Sequence, residues 1–198
     1  MTLLSSLQPL DLPEPGSTVA VALSGGVDSS LVASLLSRRG CKVVGRTMRI
    51  YDPRANPLSP SGKGCYGPFE EENEQACRRL CDSLGAEYYV FDLAEAYGTE
   101  ILGNFKAEYR AGRTPNPCLR CNPLLKFGLL PGKLKESGVH FDYYATGHYV
   151  QLLLPEGDVK KGVYLAPARD AGKDQSYFLQ RLSYKALESC PLSLWGSS

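Results

Sequence analysis

Residues 19–30 read Val-Ala-Val-Ala-Leu-Ser-Gly-Gly-Val-Asp-Ser-Ser, and this stretch restricts the fold more than any other. An apolar run from Val19 to Leu23 feeds a Ser-Gly-Gly turn, and an apolar-periodic segment from Leu31 to Leu36 follows. That order is strand, glycine turn, helix start. Two glycines let a backbone approach a bound group closely, and a helix N-terminus offers unpaired N–H donors to an anion. A phosphate is the expected anion, which points to a nucleotide site. The turn is not a Walker A loop, because Gly26 is followed by Val27 and Asp28 rather than Lys and Ser or Thr. Nor does it carry the spaced glycines of dinucleotide folds.

Elements alternate along the rest of the chain. Strands are expected over 17–23, 42–51, 87–92 and 141–149, with a short one over 162–166. Helices are expected over 29–39, 70–84 and 93–110, and a partial helix over 122–135 interrupted at Pro131. In the first helix Leu31, Val32, Leu35 and Leu36 are placed on one face, with Gly40 as its cap. Residues 1–16 are polar and Pro-rich and read as a flexible lead-in, while 52–68 and 112–121 read as loops. The expected fold is α/β: a parallel sheet with helices on both faces, right-handed crossovers, and ligands beyond the carboxyl ends of the strands.

Composition sets bounds on function. At 198 residues and 43% hydrophobic content, the chain can bury the core of one domain. A formal charge of +1 gives no support for bulk nucleic-acid affinity, so any RNA contact must be local. No apolar run approaches a membrane span and the first residues lack a secretory pattern, so the expectation is a cytoplasmic protein without a membrane partner. Seven scattered cysteines suggest reduced thiols, metal ligands or catalysis before disulfides.

A second constellation runs from Ala111 to Gly128 and contains Cys118 and Cys121 as Cys-x-x-Cys. The spacing alone allows half a zinc site, two iron–sulfur ligands, a redox dithiol or two structural cysteines. Arg113, Arg120 and Lys126 surround it, and nearby cations are expected to favour the thiolate.

Ser24-Gly-Gly-Val-Asp-Ser29 resembles the pyrophosphate loop of the ATP pyrophosphatases, which split ATP between its α and β phosphates. Four further blocks narrow the resemblance. These are Val44-Gly-Arg-Thr-Met48, Gly112-Arg-Thr-Pro-Asn-Pro-Cys with Cys121-Asn and Lys126-Phe-Gly, Ala145-Thr-Gly-His-Tyr149, and Lys173-Asp-Gln-Ser-Tyr-Phe-Leu179. In that order, over residues 19–182, they resemble the tRNA-specific 2-thiouridylases.

The resemblance implies an adenine nucleotide alpha hydrolase-like, Rossmann-like domain over 17–168. It implies the start of a truncated central tRNA-binding region over 169–198. It also implies an enzyme that adenylates the C2 oxygen of the wobble uridine with ATP and Mg2+, then adds sulfur. Cys121 matches the nucleophile. Ala22, Leu23, Ser24, Gly25, Gly26, Val27, Asp28, Ser29, Met48 and Gly147 match the ATP site. Asn116, Pro117 and Cys118 match the target-base region, and Lys173, Asp174 and Gln175 a tRNA contact. The implied partners are tRNA and a sulfur-donor protein, a cysteine desulfurase or relay.

Cys118 stands where many members carry Asp, which resembles a subgroup linked to an iron–sulfur cluster. Persulfide and cluster routes both stay open. The family continues past the position of Ser198 and carries its second catalytic cysteine there, which Cys190 does not match, so complete sulfur transfer is expected to need that continuation. The alternatives are a non-catalytic nucleotide- or metal-binding remnant and another pyrophosphate-loop ligase. Elsewhere, Cys41, Cys77 and Cys81 read as core, and Cys65 as a loop thiol without a role ahead of a third cluster ligand. His148 reads as a positioning group, and Glu70–Glu74 as a solvated helix start.

Overall fold

The computed structural model describes residues 7–54, 65–155, 162–188 and 192–194. In chain order the elements are β1 (Leu7–Pro9), β2 (Thr18–Ala22), α1 (Val27–Arg38), β3 (Lys42–Arg49), α2 (Glu70–Leu84) and β4 (Glu87–Asp92). Helix α3 runs from Ala94–Tyr97 through a π-helical Gly98–Leu102 into Gly103–Arg110. Helix α4 runs from Cys118–Cys121 through a π-helical Asn122–Leu129 into Leu130–Glu136. Then come β5 (Tyr143–Pro155), β6 (Tyr164–Pro167), α5 (Ser176–Leu179), α6 (Tyr184–Glu188) and β7 (Leu192–Leu194).

The sheet order β7–β5–β2–β3–β4 is parallel throughout, as expected. Strand β2 is central, and alternate residues serve opposite faces. Val19, Val21 and Leu23 pack with Val32, Ala33 and Leu36 of α1 and with Cys77 and Cys81 of α2. Ala20 packs on the other face with Leu134 of α4 and Tyr144. Helices therefore cover both faces, and the reversal between β5–β2 and β2–β3 opens a crevice at the carboxyl ends.

Several expectations are corrected. In α1, Leu31 is 49% exposed, and the buried apolar positions are Val32, Ala33 and Leu36. Residues 7–16 are not loose. Strand β1 pairs antiparallel with β5, and the Pro13 carbonyl accepts the Arg39 Nε–H at 2.8 Å. The strand expected over 141–149 continues to Pro155, where its outer half leaves the parallel sheet and pairs antiparallel with β1 and β6. Pro131 does not interrupt α4. In the π register the Leu130 N–H donates to the Leu125 carbonyl, so the Lys126 carbonyl would look to residue 131, which has no N–H. The Tyr144 hydroxyl donates to that carbonyl instead. Of the loop expected over 52–68, residues 55–64 lie outside the described residues, as does Cys190.

Candidate functional site

The turn from β2 to α1 forms a closed cradle. The Ser24 N–H donates to Ser29 Oγ at 3.2 Å, while the Ser29 and Ser30 hydroxyls both donate to the Gly26 carbonyl, at 3.3 and 2.8 Å. Gly25 has φ +77°, and a Cβ there would lie 2.8 Å from the Asn73 side chain. Gly147 of β5 lies against the first turn of α1, where a Cβ would stand 2.7 Å from the Ser29 nitrogen. Only a glycine lets the strand pass that close. The helix start leaves its first N–H groups without intrahelical partners and carries partial positive charge, so the cradle suits a phosphate.

The cradle opens into a cavity of about 240 Å³. Of the sequence-predicted ATP positions, Ala22, Leu23, Ser24, Gly26, Asp28, Ser29, Met48 and Gly147 line it, and so does Gln175. Gly25 and Val27 belong to the same turn, with Val27 82% exposed. The far wall comes from Lys126 and Leu130 of α4 and from His148. His148 Nδ1 is 2.8 Å from Thr146 Oγ1, and burial, helped by Lys126, pushes its pKa down to about 3. A neutral imidazole fits positioning rather than a charged role.

The cysteine helix meets this cavity from the side. Asn116 Oδ1 accepts the Cys118 N–H at 3.0 Å, which starts the helix directly after Pro117. Cys121 packs with Ile50, Tyr97 and Leu125 in a cluster shared with Met48 and Ala22, two residues that line the cavity. Expectation fails on the charge of the thiols. Arg120 is paired with Glu100 at 2.9 Å and Arg113 with Glu108. Burial raises the Cys121 thiol to about 11 against the opposing pull of Lys126, and it raises Cys118 too. Cys65 lines the cavity and lies near enough to both thiols to act on them electrostatically. Even so, among the described residues no group of three His, Cys, Asp or Glu is arranged to hold a metal ion.

The segment 173–175 docks on the same region. Asp174 binds its own turn, accepting the Ala168 N–H and the Ser176 hydroxyl, each at 2.7 Å. Asn122 Nδ2 donates to the Phe178 carbonyl at 2.9 Å, which ties α5 to the cysteine helix. Sequence reasoning missed Glu70, whose Oε1 accepts the Ile50 and Tyr51 N–H groups at 2.8 and 3.0 Å at the cavity wall. Glu74, also read as solvated, pairs with Arg49 at 2.7 Å. A run of acids carries no signal for which member turns inward. Lys126 and Asn73 were likewise not assigned to the nucleotide site, and only packing brings them there.

Comparison with known proteins bears on this geometry. The family model described as the tRNA methyl transferase HUP domain matches residues 17–195. The tRNA-specific 2-thiouridylase MnmA of Endomicrobium trichonymphae is 42% identical over 181 residues, covering 89% of this chain and 49% of that protein. Its namesake from Carboxydothermus hydrogenoformans is 39% identical over 176 residues, covering 89% and 46%. The chain thus spans about half the length of the curated relatives it matches. Among solved structures, the NMN synthetase from Francisella tularensis is 17% identical with a TM-score of 0.40, covering 66% of this chain and 44% of its own. Among the described residues no helix is long and apolar enough to cross a membrane.

Proposed function

This chain belongs to the tRNA methyl transferase HUP domain family, and from that premise we propose that it is the ATP-handling half of a cytoplasmic tRNA-uridine 2-sulfurtransferase. The observation that carries the reading is convergence. The phosphate cradle and the Cys121 helix sit at one crevice, joined through Met48 and Ala22.

In this reading the cradle from Ser24 to Ser29 holds the β and γ phosphates, and Met48 packs against the adenine. A uridine flipped from the anticodon brings its C2 oxygen to the α phosphorus, because the reacting atom is not reachable in a stack. The C2 oxygen bonds to phosphorus, the bond to the bridging α–β oxygen breaks, and pyrophosphate leaves into the cradle N–H groups. The outer sulfur of a persulfide on Cys121, delivered by a donor protein, then adds to C2. A second thiol from the expected continuation attacks Cys121 Sγ, which breaks the S–S bond, frees the C2 sulfur and leaves a disulfide for a thiol reductant to reopen. AMP departs with the oxygen. Adenylation matters because a carbonyl oxygen is a poor leaving group and a phosphate ester is a good one. Asn116 and Pro117 set the start of the cysteine helix beside the base, and Lys173 offers a cation to the RNA.

The donor set at the cradle fits magnesium, with the exposed Asp28 carboxylate at its lip as the holding group. The ion would neutralise charge on the departing pyrophosphate. For an iron–sulfur cluster, Cys118 and Cys121 would be two ligands. Among the described residues no third such ligand is grouped with them, so the reading here runs through the persulfide.

The test is incubation with ATP, Mg2+, undermodified tRNA and a persulfide-charged donor. Wild-type protein is expected to release pyrophosphate only with tRNA. With the expected continuation supplied, Cys121→Ser should keep that release and lose the 2-thiouridine that wild type then forms. Pyrophosphate release with small acids or amines, and none with tRNA, would overturn the reading.

A further inference from the structure

Two residues beyond Gly147 on β5, Tyr149 lies over the first turn of α1. Its hydroxyl donates to Asp28 Oδ1 at 2.7 Å. Its backbone is gripped from the other side. The Tyr149 N–H donates to Gln175 Oε1 at 3.1 Å, and its carbonyl accepts the Gln175 N–H at 2.9 Å. Lys173 Nζ stands 5.0 Å from the centre of its ring, close enough for a cation–π attraction. Gln175 and Asp28 both line the cavity, at opposite ends of this chain of contacts. Asp174 braces the turn that carries Lys173 and Gln175.

We propose that Tyr149 is a positioning residue that fixes the Asp28 carboxylate at the phosphate cradle and passes to it the state of the Lys173–Gln175 segment. A short carboxylate on an exposed helix start has several rotamers open to it, and a hydrogen bond to a charged group selects one. The hydroxyl supplies that bond. The ring and the backbone of the same residue are held by the segment that carries Lys173. A polyanion that draws Lys173 off the ring, or shifts Gln175, therefore moves the donor that orients Asp28. This gives RNA engagement a route of four residues to the cradle. The inference rests on the ATP reading for what Asp28 serves.

The test uses the whole chain as wild type, Tyr149→Phe, Asp28→Asn and the double variant. Two quantities are measured: hydrogen exchange at the amides of residues 27–30, and calorimetric binding of α,β-methylene ATP with and without Mg2+. Tyr149→Phe is expected to speed exchange about fivefold in that turn. It should weaken the magnesium-bound analogue about tenfold while leaving magnesium-free binding unchanged. In the Asp28→Asn background it should add nothing further. Lys173→Ala with Gln175→Ala should weaken magnesium-dependent binding in wild type and have no added effect once Tyr149 is Phe. Unchanged exchange in Tyr149→Phe, or effects of Tyr149 and Asp28 that simply add, would overturn the proposal. A wild-type chain that fails to bind the analogue would defeat the ATP reading, and the exchange measurements would still decide whether Tyr149 holds the turn.

Discussion

At Cys121 two effects oppose each other. Lys126 favours the thiolate and burial among Ile50, Tyr97 and Leu125 disfavours it, and burial wins. The outcome is a thiol raised to about 11. Its alkylation rate by iodoacetamide should therefore keep climbing past pH 9 towards 11, as mass spectrometry of the labelled peptide will read. A plateau below pH 9 would contradict this. The same crevice holds His148, whose folded pKa is depressed from 6.5 to about 3. The sign follows from proton binding. Between those two values the unfolded chain binds the proton and the folded one does not. Stability is fully present above pH 6.5 and drains away as pH falls towards 3. His148→Gln should lose less stability than wild type over that window, measured by urea unfolding at stepped pH. Neither shift was legible in the sequence, where Cys121 had three cationic neighbours and looked activated. Ion pairs to Glu100 and Glu108 remove two of them from consideration.

Helix α4 shows the same division one scale up. A partial helix over 122–135 was legible in the sequence, but its start at Cys118, inside a stretch read as a loop, and its course past Pro131 were not. A π-helical stretch from Asn122 to Leu129 shifts the hydrogen-bond register and leaves the Lys126 carbonyl facing a residue with no N–H, and Tyr144 supplies a hydroxyl from β5. Tyr144→Phe should therefore cost about 1–3 kcal/mol, the penalty of stranding a partly buried acceptor. Pro131→Ala restores an N–H at that position, so Tyr144→Phe should cost less in its background. Unfolding free energies of the four proteins close the cycle, and equal costs in both backgrounds would rule this account out. The strand–turn–helix at residues 19–38 was readable because each local cue agreed: an apolar run, two glycines, then polar residues at a helix start. Its inward face was only partly readable, since Leu31 lies at the exposed margin of α1.

Over the whole molecule, β5 joins two regions. Its first half completes the parallel sheet that carries the cradle, and its second half pairs with β1 and β6. Leu152, Leu154 and Val163 form a separate small core there, with Leu10 against it. Removing residues 1–10 should lower stability by about 1–2 kcal/mol, below the value for one fully buried Leu because Leu10 is only partly covered. Binding of magnesium-ATP per folded molecule should stay within twofold of the intact chain, by roughly the scatter expected for independent sites. Loss of nucleotide binding in that variant would show that the two regions fold as one.

The sequence by itself determined the strand–glycine–helix cradle, the alternation that makes the sheet parallel, and the order of motifs along the chain. These follow from interactions between residues a few positions apart, where periodicity and turn chemistry act directly. Tertiary structure decided which charges stand free, which thiol is protonated, and which distant residues share a wall. Glu70, Lys126, His148 and Gln175 meet at one cavity only because α2, α4, β5 and the turn before α5 come together there. Burial and pairing depend on neighbours far apart in the chain, and no local pattern encodes them.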